Sequence, residues 1–189
     1  MTDGGGVGGS SPRAGRRGGI GGPSPWTRLR GGIGETSPRA KQRADREHVD
    51  VLLVEDDPGD VLMTKEAFEH YEIRGNLHVV GDGDQAMQFL RKSGDYAGVP
   101  TPGLILLDLN LPRRNGLEVL AEVKSDSSLL SIPVVVLTTS QAQEDILRSY
   151  SLHANAYISK PVDYDRFIGV IGQIDDFFLT LVKLPAGLT

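Results

Sequence analysis

The stretch that most constrains this 189-residue chain is Leu104-Ile105-Leu106-Leu107-Asp108-Leu109-Asn110-Leu111-Pro112, with Gly116 just beyond. A continuous apolar run predicts a strand buried on both faces, and such strands belong to parallel sheets covered by helices. The run ends abruptly in Asp108. In open α/β sheets the ligand crevice lies outside the carboxyl ends of the strands, so Asp108 is expected where chemistry occurs. Pro112 and Gly116 then break the chain before the next helix.

Four more apolar runs repeat the pattern. Val49 to Val54 is a first strand, ending in Glu55-Asp56-Asp57, and Pro58 suits the first position of the helix that follows. Leu77 to Val80 is a second, followed by Asp82 and Gln85 as a helix-start pair. Ile132 to Leu137 is the fourth strand, ending in Thr138-Thr139-Ser140, where Ser140 and Gln143 match a capping box. Ala154 to Ile158 is the fifth, ending in Ser159-Lys160-Pro161, with a last long helix from Asp163. Strands alternating with helical patterns predict an α/β fold, a (βα)5 doubly wound parallel sheet with right-handed crossovers.

The amino-terminal part is a different physical object. Residues 1–46 hold thirteen of the twenty-four glycines, and nine Lys/Arg against three Asp/Glu; the remainder holds eleven against twenty-two. A Gly-, Arg-, Ser- and Pro-rich segment buries too little apolar surface to offset its chain entropy. Residues 1–47 are therefore expected to be a disordered tail, 48–184 the folded domain and 185–189 a short terminal tail. The chain has no Cys, which excludes disulfides and thiolate chemistry. No run approaches the roughly 18 apolar residues of a membrane span, and no targeting segment is visible. A cytoplasmic protein is the expectation, and the acidic body disfavours DNA binding.

The polar residues at the strand ends form a set: Asp56 and Asp57, Asp108, Thr138 and Lys160. In a parallel sheet these ends lie along one edge. Three carboxylates together repel unless a cation sits among them. Hard oxygen donors without His or Cys select Mg²⁺, with Mn²⁺ also suited. A lysine and a hydroxyl then remain for a phosphoryl group, and a carboxylate can be the nucleophile that forms an aspartyl-phosphate. Singly, each residue has a plain structural role; Asp57 before Pro58 could simply be a helix cap.

On these residues, and on Val-Leu-Leu-Val-Glu-Asp-Asp-Pro-Gly-Asp, Leu-Thr-Thr-Ser and His-Ala-Asn-Ala-Tyr-Ile-Ser-Lys-Pro-Val, the body resembles the receiver domain of two-component response regulators. It is similar in particular to the single-domain regulators paired with bacterial phytochrome-type histidine kinases. The resemblance implies a flavodoxin-like fold with strand order 2-1-3-4-5. It implies that Asp108 accepts a phosphoryl group from a sensor histidine kinase. Asp57, Asp108 and the Asn110 carbonyl would bind Mg²⁺, with Asp56 reaching it through water. Lys160 would pair with Asp108 or a phosphoryl oxygen, Thr138 would move inward to the phosphoryl group, and the Thr139 N–H would assist. Tyr157 would be the switch aromatic, and Pro161 a cis-proline. Thr139 departs from the small residue usual at its position, and the 94–103 loop is longer than in minimal receivers.

The function expected is that of a phosphoacceptor signalling protein, not an enzyme beyond its own phosphorylation and dephosphorylation. With no DNA-binding domain expected, output would pass to a downstream protein partner. One alternative is a Mg²⁺-dependent phosphatase of the haloacid-dehalogenase type. It needs an acid two residues after the nucleophile, where Asn110 stands. A pseudo-receiver that is never phosphorylated is the other. The last helix, read as Asp163 to Leu184, carries a stripe of Phe167, Ile171, Ile174, Phe178 and Leu181. Ile168, Phe177, Val182 and Leu184 fall partly outside it. An apolar face broader than one core needs predicts a homodimer through this helix and the fifth strand.

Overall fold

The computed structural model describes residues 48–181, with side chains as far as Phe178. The expected tail over 1–47 and the terminal residues 182–189 lie outside the described residues. Five parallel strands form one sheet in the order β2-β1-β3-β4-β5: β1 Val51–Val54, β2 Leu77–Val80, β3 Leu104–Leu107, β4 Val134–Thr138 and β5 Ala156–Ser159. Every residue of β1, β3 and β4 is buried, as expected of central strands covered on both faces.

Period-two alternation sorts those side chains into two cores. On one face Leu52, Val54, Ile105, Leu107, Val134 and Val136 pack under helices α2 (Gly83–Leu90) and α3 (Gly116–Ser125), through Phe89, Leu90, Val119, Leu120 and Val123. On the other, Val51, Leu53, Leu104, Leu106, Val135 and Leu137 meet Ala67 of α1 (Pro58–His70) and Phe167, Ile168 and Ile171 of α5 (Tyr164–Ile174). Each fully buried Leu, Ile or Phe contributes about 1.5–3 kcal/mol. Helix α4 (Gln143–Ser151) lies beside β5 and α3.

Local chemistry sets the helix starts. Asp57 caps α1 by accepting from the N–H groups of Gly59 and Asp60, with Pro58 in the first turn. Asp82 caps α2 and also accepts from the Gln85 side chain. Asn115 and Glu118 form a full capping box on α3. The capping box expected from Ser140 and Gln143 is not formed. Ala142 is the cap residue of α4, and alanine has no side-chain acceptor; the Ser140 hydroxyl instead donates to Asp145 Oδ2 at 2.6 Å and accepts from the Ala142 N–H at 3.3 Å.

Helix α5 does not run on as an α-helix. From Asp175 to Leu181 it widens into a π-helix. Ile168, expected partly outside the core, is buried, as are Ile174 and Phe178. Phe177 is 54% exposed, its ring edge-on to Phe178 at 4.9 Å. The Leu181 side chain, Val182 and Leu184 lie outside the described residues. Among the described residues no helix is long and apolar enough to cross a membrane.

Candidate functional site

Three backbone bonds bring one edge of the sheet together. Glu55 N–H donates to Val80 O, Asp108 N–H to Val54 O and Lys160 N–H to Thr138 O. Glu55, Asp108 and Lys160 each stand one residue beyond the end of a strand, so the ladder hydrogen bonds carry their side chains to a common place. Gly116 holds the neighbouring loop close. A Cβ there would lie 2.1 Å from the Asp108 carbonyl oxygen, so only glycine allows α3 to start against the β3 end.

At the centre, Lys160 Nζ donates to Asp108 Oδ2 at 2.7 Å and to Asp60 Oδ2 at 2.8 Å, and also to Glu55 Oε2. Asp108 is 5% exposed, Glu55 3% and Lys160 7%. Asp108 Oδ1 accepts from the Asn110 N–H at 3.0 Å. Thr138 is fully buried, its hydroxyl accepts from the Ser140 N–H at 3.3 Å, and its nearness favours the ionised form of Asp108. Beside it, the Asn110 side-chain amide lies 3.4 Å from the Thr138 hydroxyl and 3.5 Å from that of Thr139. Tyr157 is half-buried and its hydroxyl donates to Ser140 O at 2.7 Å, which ties β5 to the loop after β4.

Burial alone would raise the Asp108 carboxyl, but bonds from Lys160, Thr138 and the Asn110 N–H hold it below the ordinary carboxylate range. Burial would lower the Lys160 ammonium, yet its bonds to Asp108, Asp60 and Glu55 raise it, so it stays charged. Glu55 goes the other way. Burial pushes its carboxyl up to about 7, because one ammonium shared among three carboxylates does not fully compensate it.

Two sequence expectations need correction. Asp57, expected as a metal ligand, is the α1 cap; its Oδ1 is taken by two backbone N–H groups, and the side chain is exposed. The buried acid facing Lys160 is instead Glu55, two residues earlier, so the acidic pair at the site is Glu55-Asp56, with Asp56 exposed. A glutamate directly following a buried strand was the available signal. The Lys160–Pro161 bond is trans, since no described peptide bond is cis. The two isomers of an X–Pro bond differ by only about 0.5–1 kcal/mol, and Lys160 reaches its partners with the trans bond.

No group of three or more His, Asp or Glu among the described residues is arranged as a metal cage. Mg²⁺ needs none: it keeps several waters and binds through one or two carboxylates. Glu55, Asp56, Asp108 and the Asn110 carbonyl are hard oxygen donors, and this donor set fits a largely hydrated hard cation.

The family model of the response regulator receiver domain matches residues 51–171. Response regulator Rcp1 of Synechocystis sp. is 44% identical over 136 residues, covering 72% of this chain and 92% of that protein. The crystal structure of the phosphorylated cyanobacterial phytochrome response regulator RcpA superposes with a TM-score of 0.72 at 44% identity, covering 74% of this chain and all of that one (100%). The Mn²⁺-bound form of Rcp1 superposes with a TM-score of 0.70 at 43% identity, covering 73% and 99%. With this fold, this strand-end set and these matches, the chain belongs to the response regulator receiver domains of two-component signalling systems.

Proposed function

We propose that Asp108 is the phosphoryl acceptor of this receiver and that a sensor histidine kinase, of the phytochrome type, is the donor. The observation that carries the reading is the buried, ionised Asp108 with Lys160 Nζ 2.7 Å from one carboxylate oxygen and the Asn110 N–H on the other. In the transfer, an Asp108 oxygen attacks phosphorus of the phosphohistidine. The P–O bond forms as the P–N bond breaks, and the imidazole leaves. Lys160 turns an N–H from the carboxylate to a phosphoryl oxygen. The Thr138 hydroxyl and the Thr139 N–H are further donors for the oxygens.

The metal role falls to Glu55 or Asp56 with Asp108 and the Asn110 carbonyl. A bound Mg²⁺ or Mn²⁺ would neutralise charge on the transferring group. The phytochrome response regulators and the Mn²⁺-bound form among the relatives support the choice of donor and of a divalent ion. The chain's part in catalysis is confined to its own phosphorylation and dephosphorylation. Asn110, two residues after Asp108, cannot relay a proton as a phosphatase of the haloacid-dehalogenase type requires.

Asp108→Asn is expected to abolish labelling by acetyl phosphate with Mg²⁺ and leave the fold intact, and EDTA should abolish labelling of the parent. Equal labelling of variant and parent would sink the assignment, and a parent that never labels would return the pseudo-receiver. Output then passes by protein–protein contact from a cytoplasmic location, with Tyr157 coupling the site to the β5 side. The homodimer belongs to the same reading. The exposed Phe177 on the continuation of α5 supports a second copy there, and sedimentation of the parent and of Phe177→Glu decides it. A parent that stays monomeric with and without beryllofluoride ends the dimer.

A further inference from the structure

The Lys160 ammonium has three N–H donors, and three carboxylates take them: Glu55, Asp60 and Asp108. The three partners differ in what the transfer reaction asks of them. Asp108 is the group that becomes esterified, so its bond to Lys160 is the one exchanged for a phosphoryl oxygen. Glu55 lies beside Asp56 at the end of β1, on the side where the hard-cation donors gather. Asp60 has neither duty. Its Oδ2 sits 2.8 Å from Lys160 Nζ, on a side chain that is only 22% exposed.

Asp60 is also held from behind. It occupies the first turn of α1, where its N–H donates to the Asp57 cap at 3.0 Å and its carbonyl accepts from the Thr64 hydroxyl at 2.8 Å. Thr64 is itself buried, at 1% exposure. The carboxylate therefore projects from a fixed helical start onto a lysine 100 residues further along the chain. A lysine stem has four flexible carbons and only a point charge at its tip. Without a fixed partner the ammonium is free to follow whichever carboxylate is unesterified.

We infer that Asp60 is a positioning residue for phosphoryl transfer: it keeps Lys160 aimed at the acceptor while the bond to Asp108 is exchanged. This rests on the reading of Asp108 as acceptor. It assigns the Asp57 cap an indirect part, since the cap fixes the turn that carries Asp60.

The test is the rate of labelling by acetyl phosphate at saturating Mg²⁺, a donor that needs no kinase docking. Asp60→Ala should slow labelling by about tenfold, less than the roughly 100-fold that a full 1 Å misplacement can cost. Asp60→Asn, which keeps an acceptor oxygen of the same shape, should fall between it and the parent. The Mg²⁺ midpoint, read separately from the rise of Tm with Mg²⁺ concentration, should not move. In a Lys160→Ala background, Asp60→Ala should add no further slowing, because the two residues act through one contact. A purely structural carboxylate would lower thermal stability while leaving the labelling rate of folded protein unchanged. If Asp60→Ala fails to fold, Asp60→Asn carries the test. A labelled parent with Asp60 variants at the parent rate overturns the role of Asp60 alone. A parent that takes no label, or an Asp108→Asn variant that labels equally, overturns the acceptor reading and this inference with it.

Discussion

Strand β1 has an acid at each end, and the two are treated in opposite ways. At the amino-terminal end Asp50 Oδ1 accepts from Asn76 Nδ2 at 2.8 Å and from His78 Nε2 at 2.9 Å. It keeps 18% of its side-chain surface in water. Burial would raise that carboxyl, but the bonds from His78 and Asn76 prevail and hold it low. At the other end Glu55 is 3% exposed, shares one ammonium with two other carboxylates, and is pushed up to about 7. One end is electrostatically complete, with donors matched to a single acid. The other is short of positive charge. That shortage sets the carboxyl edge of the sheet apart from the amino edge and accords with the cation site proposed there.

The largest test of the contrast is Lys160→Met. It removes the single cation from three clustered carboxylates and should cost about 3–5 kcal/mol by chemical denaturation, the range for breaking a buried pair from one side. A loss below about 1 kcal/mol would mean that the edge is wetter than its burial implies.

Asp82 gives an intermediate case. It is buried like Glu55 but matched like Asp50, accepting from Gln85 N–H at 2.8 Å and from Gln85 Nε2 at 2.7 Å, with Arg113 at 3.1 Å. Asp82→Ala should cost about 1–2 kcal/mol, the upper part of the range for a lost helix cap. Burial raises its carboxyl, but the Gln85 bonds and Arg113 outweigh it and hold it below its ordinary 3.8. The unfolded chain then binds more protons than the native state as pH falls below about 4, so stability drops with acid there. The contribution is present above the unfolded value and lost as pH falls through the folded one. Urea midpoints of parent and Asp82→Ala should converge on acidification; parallel curves would refute the assignment.

Asp50→Asn should be the mildest, under about 1 kcal/mol, because the pair with His78 is partly solvated and an amide oxygen still accepts. A larger loss would show that both ends of β1 hold charge of equal consequence.

Much of this was legible in order along the chain. Short uninterrupted apolar runs bounded by turn residues read as strands covered on both faces, so β1, β3 and β4 follow from pattern, length and flanks. Strand ends are local too, which is why Asp108, Thr138 and Lys160 could be placed on one edge before any coordinate. The caps at Asp82 and Asp163 follow from side chains that reach their own backbone. The Asn115–Glu118 box is equally local, at the same spacing of three, whereas the box expected at Ser140 fails because its hydroxyl turns to Asp145, five residues on.

Tertiary structure alone decided which of Glu55, Asp56 and Asp57 faces the lysine. Side chains alternate by one residue along a strand and turn again at a helix cap, so three adjacent acids point three ways. The one that matters is picked by a partner 105 residues away. The same holds for Asp60, which reads as an ordinary first-turn acid until the fifth strand brings Lys160 across it. Local propensity determined the elements and most of their ends, since it acts within a few residues. The charge balance of the site was decided only by assembly, because desolvation and long-range ion pairing do not exist until the sheet has closed over the side chains.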